Sequence, residues 1–277
     1  MIKTNENEML QPDFSENVET KQVIKWGNSA GILLSKKWIN KEVKVILIDR
    51  TNEIKKEVLN ILEPYLNEIQ GIYLVGSYAR GEEQKGSDID IIVISNNLKK
   101  EISSGKYEVS IYPLKTIKIA IENNPLTILP RLLEAKTILN ESLLKEITPE
   151  LNKISKKDFK TFFEDTKRMN KMNKTMIWLD KEMKDNSDST IYSLILRLRG
   201  VFIIKCLLKK EKFSNNAFRK WLKSKGGTDI EEAYRVYRAV RDKKKVGKIN
   251  INLEDVKKLS EILGKEVKEY DKSKKKT

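Results

Sequence analysis

The chain has 277 residues, of which 34% are charged and 7% are aromatic, and its formal net charge at pH 7 is +15. It contains one cysteine, Cys206, and no histidine. This composition excludes an internal disulfide, a cysteine-based zinc cluster, imidazole-bound zinc and Ser-His-Asp catalysis, so any chemistry must rest on carboxylates and metal ions. The positive charge favours a polyanionic partner, although a lysine-rich proteome would produce the same excess.

The apolar runs and the two ends of the sequence set the broad class of protein. No apolar run approaches the ~20 residues that span a bilayer, and no signal peptide opens the sequence, so we expect a soluble, cytoplasmic protein. Residues 1–18 are polar without periodicity, which predicts a flexible leader. Residues 269–277 form a basic tail, which we expect to be disordered. The length between them suits two or three small domains.

Residues 19–50 alternate short apolar pieces with glycines, which indicates a small β unit with a turn or helical corner at Trp38 and a closing strand over residues 43–47. The stretch resembles the AbrB/SpoVT swapped-hairpin family. The residues that carry this resemblance are Trp26, Gly27, Asn28, Ser29, Gly31 and Trp38. Ser35 stands where that family usually has proline.

The AbrB resemblance implies a homodimer, because such domains interleave two chains into one barrel, and it also implies DNA binding. About thirty residues bury little core alone, which independently favours association. The lysines of this segment would either contact phosphates or only keep the unit soluble; they are Lys21, Lys25, Lys36, Lys37 and Lys41.

Residues 51–70 carry the periodicity of an amphipathic helix. Its apolar face is predicted to consist of Ile54, Val58, Ile61, Leu62, Leu66 and Ile69. Pro64 is expected to kink this helix or to split it, and Gly71 ends it. We expect the helix to pack under the sheet that follows.

The next stretch, residues 72–95, contains two short apolar runs separated by a polar loop. The first run ends at Gly76 and Ser77, and the second is opened by Asp88 and Asp90. Side chains alternate along a strand, so both carboxylates project from the same side, where they repel each other unless a cation lies between them. Mg²⁺ is usually held by one or two carboxylates and substrate phosphates. Gly76 lets the backbone approach a phosphate, and Ser77 offers a hydroxyl donor.

These residues form a pattern that resembles the nucleotidyltransferase superfamily related to DNA polymerase β, and in particular the minimal nucleotidyltransferases of archaea and bacteria. The matching positions are Gly76, Ser77, Ala79, Arg80, Gly81, Ser87, Asp88, Ile89 and Asp90. The resemblance implies transfer of a nucleoside monophosphate (NMP) from a nucleoside triphosphate (NTP) to a hydroxyl. It assigns two Mg²⁺ ions, or Mn²⁺, to Asp88 and Asp90.

The resemblance also implies roles for three other residues of the pattern. Gly76 and Ser77 would bind the phosphates of the nucleotide, and Ser87 would belong to the same nucleotide site. Arg80 would steady either the phosphates or the local turn.

The superfamily places a third carboxylate, usually Asp, on the strand beside the Asp-x-Asp strand. Residues 106–112 alternate in polarity, with Tyr107, Val109 and Ile111 on one face. Glu108 is the acidic residue of this strand, so it is our candidate third metal ligand and catalytic residue. A glutamate that faces solvent would fit the pattern about as well.

The remaining sequence is predicted to be helical from residue 151 to 268, with the most apolar helix at 190–209. Arg131 and Lys136 either face the triphosphate or form surface ion pairs. Arg197 and Arg199 interrupt the apolar helix and must reach solvent, a carboxylate or a ligand phosphate. The resemblance implies that this helical region chooses the acceptor.

The sequence therefore predicts an α/β (α+β) protein with a small N-terminal β unit (19–50), a nucleotidyltransferase domain with a mixed sheet (51–150) and a helical bundle (151–268). Its predicted partners are an NTP, an acceptor hydroxyl on a protein, RNA or small molecule, and a second copy of the chain. Two alternatives remain open: a DNA-binding regulator that only senses nucleotide, and a chain that keeps the fold without catalysis.

Overall fold

A computed structural model describes residues 19, 21, 23–45, 51–84, 86–148, 153–183, 187–226 and 230–274. The chain divides into two compact units, residues 1–50 and 51–277. We call them the N-terminal unit and the main unit. The predicted leader, residues 1–18, lies outside the described residues.

The N-terminal unit contains a β-hairpin. Strands β1 (Ile24–Trp26) and β2 (Ser29–Gly31) pair antiparallel across a two-residue turn at Gly27, whose φ of +58° suits glycine. A 3₁₀ turn at Lys36–Trp38 follows and contains the expected corner at Trp38. Residues 41–45 are not in a strand, so the closing strand predicted over 43–47 is absent from 43–45, and the rest of it falls outside the described residues.

The main unit is built on a five-stranded mixed sheet with the order β5-β6-β4-β3-β7. Strands β4 and β6 are parallel, and the other neighbours are antiparallel. The strands are β3 (Ile69–Val75), β4 (Ile89–Ser95), β5 (Lys100–Ser104), β6 (Tyr107–Pro113) and β7 (Lys136–Leu139).

The helices of the main unit lie before, between and after these strands. They are α1 (Thr51–Leu62), α2 (Gly76–Arg80), α3 (Leu114–Asn123), α4 (Pro125–Glu134), α5 (Glu141–Ile147), α6 (Lys160–Met183), α7 (Asp188–Lys209), α8 (Asn215–Gly226), α9 (Ile230–Arg241) and α10 (Leu253–Lys274). The predicted fold class, an α/β protein with a mixed sheet and a helical C-terminal region, is confirmed.

Alternate side chains of the central strands point to opposite sides of the sheet. Each face of the sheet packs in its own hydrophobic core. Ile89 and Ile91 of β4 pack with α1 in one hydrophobic core. Ile92 and Ile94 pack in a larger core shared with α3, α4 and the C-terminal helices. The residues at 88, 90 and 108 belong to this second face.

Several local predictions differ from the structure. The helix predicted over 51–70 ends at Leu62, and Glu63–Glu68 forms a 3₁₀ segment at Pro64, so the expected split occurs. Ile69 lies in β3 instead of on the helical face, and Leu66 is exposed. Helix α10 continues to Lys274, so much of the predicted disordered tail is helical. Within the described residues, no helix is both long and apolar enough to cross a membrane.

Candidate active site

The centre of the site is the turn at which β3 ends and α2 begins. Gly76 adopts a φ of +73°, and a Cβ atom added there would lie 2.2 Å from Oδ2 of Asp90. A side chain at this position would be strained and would also collide with the carboxylate. Glycine therefore allows the turn to lie directly against Asp90.

Asp88 and Asp90 flank the first residue of β4, Ile89, which is fully buried. Asp88 is exposed, whereas the Asp90 side chain is 38% exposed and lies 3.7 Å from Nη2 of Arg131. Burial raises the pKa of Asp90 above its usual value; Arg131 opposes this shift and the charge of Asp88 reinforces it. The carboxylate thus occupies a place where a cation would be stabilised.

Glu108 lies on the strand beside Asp90, as expected. It is the register partner of Asp90 in the parallel pair of β4 and β6, so both side chains lie on the same face of the sheet. Its Oε2 accepts a 2.6 Å hydrogen bond from Ser103, and the side chain is exposed. Among the described residues, no group of three acidic, cysteine or histidine side chains is close enough to hold a metal ion. The oxygen donor set of these carboxylates nevertheless has the chemistry that Mg²⁺ requires.

The two serines of the motif occupy different environments. The Ser77 hydroxyl makes no hydrogen bond with any described residue, and its carbonyl accepts a 2.9 Å bond from the Glu82 N–H. Ser87 closes the loop before Asp88: its hydroxyl accepts from the Gln84 N–H at 2.8 Å, and its N–H donates to the Gln84 carbonyl at 2.8 Å. Ser77 is therefore available to a ligand, whereas Ser87 holds the loop.

Arg80 lies between two carboxylates. Its Nε donates to Oε2 of Glu82 at 2.9 Å, and its Nη1 donates to Oε2 of Glu134 at 2.6 Å. Burial alone would lower the pKa of Arg80, but the two carboxylates outweigh it and raise that pKa above its usual value. In this arrangement Arg80 steadies the turn.

Glu134 is a site residue that the sequence reasoning missed. It is buried at the end of α4, and its Oε1 accepts a 2.8 Å hydrogen bond from the N–H of Gly76. Burial raises the pKa of Glu134, and Arg80 and the Gly76 N–H oppose that shift. The Gly76 N–H, predicted to contact a phosphate, is therefore engaged by a carboxylate of the same chain.

Glu82, also missed, connects the turn to the helical region. Its carboxylate accepts hydrogen bonds from the Ser214 hydroxyl at 2.9 Å and from the N–H groups of Asn215 and Asn216 at 3.1 and 3.2 Å. Burial would raise the pKa of Glu82, but the hydrogen bonds from Arg80 and from the start of α8 lower it below its usual value. An acidic side chain at a helix N-terminus satisfies free N–H groups and complements the helix dipole.

Further arginines lie around the two carboxylates Asp90 and Glu134. The charge of Arg241, on α9, acts on Asp90, and that of Arg199, on α7, acts on Glu134. The Arg199 guanidinium lies 4.6 Å from the ring centroid of Phe213, and its buried Nε has no hydrogen-bond partner among the described residues. Arg197 instead lies over Phe162, and Lys136 is exposed on β7.

The mixed sheet presents an Asp-x-Asp strand beside a Gly-Ser turn. This arrangement is typical of a class of proteins that act on nucleotides. Residues 52–174, less than half of the chain, match the family described as "Nucleotidyltransferase domain". This part of the chain is therefore similar to nucleotidyltransferase domains. The predicted enzyme class, a nucleotidyltransferase that transfers NMP, is confirmed by this match.

The solved structures that are similar to the chain include the following two. One is a nucleotidyltransferase-like protein from Exiguobacterium sibiricum 255-15, with 12% identity, a TM-score of 0.38, and coverage of 78% of this chain and 75% of that one. The other is spectinomycin adenyltransferase AAD(9) from Enterococcus faecialis, solved with ATP and spectinomycin, with 16% identity, a TM-score of 0.39, and coverage of 77% and 99%. Both TM-scores are too low to define the substrate of this chain. No curated protein sequence matches the chain.

Proposed function

We propose that the main unit transfers an NMP from an NTP to an acceptor hydroxyl in a reaction that depends on Mg²⁺ and releases pyrophosphate. The observation that carries this proposal is the placement of the Gly76 turn directly against the Asp90 carboxylate. A substrate phosphate at this turn would lie beside a carboxylate that needs a cation.

Asp88 and Asp90 are the proposed metal ligands, and Glu108 is the proposed third carboxylate. Two Mg²⁺ ions, or Mn²⁺ ions, would supply stabilisation of the attacking and leaving oxygens of the transfer. Glu108 lies on the same face of the sheet as Asp90 but is exposed and accepts a hydrogen bond from Ser103. Its participation requires exchange of that hydrogen bond for a metal ion or for the acceptor hydroxyl, whose proton it would then accept.

The Ser77 hydroxyl is the proposed donor to the β- and γ-phosphates. Arg131 is 3.7 Å from Asp90 and is only partly buried, so it can also turn toward a phosphate. Binding through the Gly76 N–H requires displacement of Glu134 from that amide. A role for Ser87 would be indirect, through the loop that it closes before Asp88. The acceptor, on a protein, an RNA or a small molecule, would approach from the helical region.

The test is transfer of label from α-labelled ATP, CTP, GTP or UTP, with Mg²⁺ or Mn²⁺, to cell-extract components. Asp88→Asn and Asp90→Asn are compared with Asp188→Asn, which changes an exposed aspartate on α7. We expect both site variants to lose transfer while remaining folded in thermal unfolding, and the control to keep it. Full transfer by either site variant would refute the assignment.

The N-terminal unit supports a second proposal, homodimer formation. None of its described residues is buried, and its apolar side chains are largely in contact with water. The exposed large hydrophobic residues are Val23, Ile24, Trp26, Leu33, Leu34, Ile39, Val43 and Val45. A unit this small cannot offset its conformational entropy without a core, and pairing with the same unit of a second chain would provide one.

Sedimentation of the full chain tests this proposal, with Ile24→Ser/Leu33→Ser as the variant. We expect a dimer that becomes a monomer in the variant, whereas a monomeric wild type would exclude the swapped arrangement. DNA binding by this unit is the alternative function that the exposed lysines favour. A gel shift with duplex DNA at increasing salt tests it, because phosphate-driven binding weakens steeply with salt.

A further inference from the structure

Helix α6 carries a tryptophan whose side chain is largely exposed. Trp178 is 59% exposed, although the helix buries Asn170, Asn173 and Ile177 on its inner side. Isolated exposed apolar residues are common, but a tryptophan contributes a large ring and is enriched at binding surfaces. The neighbours of Trp178 therefore decide what this ring does.

Four lysines share the flank of α6 that carries Trp178. Lys167, Lys171, Lys174, Trp178 and Lys181 follow one another at intervals of four, three, four and three residues, and all are exposed. At 100° per residue these positions stay within an arc of about 80°, and the row is about 21 Å long. We call these five residues the basic row.

The charges of the basic row are largely unbalanced. Lys171, Lys174 and Lys181 form no ion pair with any residue that the structure describes, and Lys167 is 3.8 Å from Asp271 of α10. Exposed lysines on helices are commonly paired three or four residues away, as Lys145 is with Glu141 at 2.7 Å. The row thus presents positive charge that a polyanion can neutralise, on a chain whose formal net charge is +15.

We propose that the basic row binds a single-stranded nucleic acid, with the Trp178 ring stacked on a base and the lysines in contact with the phosphates. Single strands combine these two requirements, since their bases are free to stack on an aromatic side chain while the backbone follows a line of cations. A duplex can contact the lysines through its phosphates, but its paired bases are not free to stack on Trp178. An acidic amphipathic protein would instead use the apolar side chains on the opposite flank of α6, about 100–160° around the helix from Trp178. These are Met172, Met176 and Leu179, which are also exposed.

The proposal is independent of the transferase reaction, so its test uses equilibrium binding by the full chain. Fluorescence anisotropy is recorded with labelled oligo(dT) and oligo(U) of roughly 12 nucleotides. We expect Trp178→Ala to weaken binding by about 5- to 150-fold, which corresponds to the loss of one stacked base. Trp178→Phe keeps a ring and should recover most of that loss.

A matched pair of triple variants isolates the lysines. Lys171→Gln/Lys174→Gln/Lys181→Gln removes three charges from the row, and Lys115→Gln/Lys220→Gln/Lys223→Gln removes three exposed charges elsewhere. The row variant should reduce the slope of log K against log salt by about 2, because each lost contact with a single strand contributes about 0.7. The control should change that slope little, and both variants should unfold at the wild-type temperature.

Three results would overturn the proposal. The first is an equal loss of affinity in the two triple variants, which would mean that only total charge matters. The second is binding that does not depend on Trp178, or duplex binding as tight as that of single strands, which would place the nucleic acid on another surface such as the N-terminal unit. The third is the absence of binding to both oligonucleotides at low salt, which would favour a protein partner for α6.

Discussion

Gly76 offers the sharpest test of the site, because a second glycine provides its control. Gly76 and Gly81 have φ values of +73° and +66°, so alanine at either position adopts a left-handed conformation that costs about 1–2 kcal/mol. A Cβ at Gly81 would have no neighbour within 4 Å, whereas one at Gly76 would lie 2.2 Å from Oδ2 and 3.0 Å from Cγ of Asp90. Asp90 must therefore retreat by roughly an ångström, at about 0.5–1.5 kcal/mol for a displaced rotamer.

Both variants should consequently lose stability, with a moderate difference between them, whereas their activities should differ strongly. In urea unfolding we expect each to lose about 1–2 kcal/mol, and Gly76→Ala to lose about 0.5–1.5 kcal/mol more. Transfer by Gly76→Ala should fall by about 100-fold, the effect typical of an ångström of misplacement, while Gly81→Ala stays within a few-fold of wild type. Equal transfer rates in the two variants would refute the argument that the turn and Asp90 act as one site.

Other contacts of the site give three further predictions. Glu82→Gln should lower stability by about 1–3 kcal/mol in urea unfolding, because it weakens charge-assisted hydrogen bonds to Arg80 and α8. The control Glu122→Gln changes an exposed glutamate and should alter stability little. The stability difference between wild type and Glu82→Gln should shrink as pH falls below 4.5, since a carboxylate with a lowered folded pKa loses its contribution on protonation; a constant difference would contradict this. Glu108→Gln should reduce kcat by about 10²–10⁴-fold at unchanged stability. Ser103→Ala is the control, because it removes the hydrogen bond between the two residues and leaves the carboxylate in place. A fully active Glu108→Gln would exclude Glu108 as the third carboxylate of the site.

The sequence predicted the elements whose pattern is local and missed those that depend on distant pairing. Strands β3, β4 and β6 have apolar or alternating residues and were predicted, although β3 begins at Ile69, three residues before the predicted apolar run. Strand β5 is polar and lies at an edge of the sheet, so its sequence carries no apolar pattern that would predict a strand. Strand β7 has four residues and forms only by pairing with β3, more than sixty positions earlier in the chain.

The same limit applies to the site. The motif around Gly76 and Asp90 is contiguous, so the sequence could predict that these residues meet. Glu134 reaches Gly76 from 58 residues away, and Glu82 reaches Asn215 from 133 residues away, so no spacing rule connects them. The helical periodicity of α4 gave no signal either: at about 100° per residue Glu134 lies about 140° around the helix from Leu129, away from the apolar side, and it is buried only because Gly76 and Arg80 contact it.

A substitution at Arg80 can distinguish a structural role of this residue from a role in nucleotide binding. The motif allows two roles, contact with the phosphates or support of the turn, and its donors already face Glu82 and Glu134. Arg80→Lys keeps the positive charge but cannot bridge both carboxylates with a planar fork. If Arg80 supports the turn, this variant should lose about 3–5 kcal/mol of unfolding free energy, as expected when a buried ion pair is broken. Its KM for NTP should stay within about twofold of wild type. If Arg80 instead binds phosphate, KM should rise by an order of magnitude with little loss of stability. Because Arg80 is engaged on both sides by carboxylates, we expect the first result.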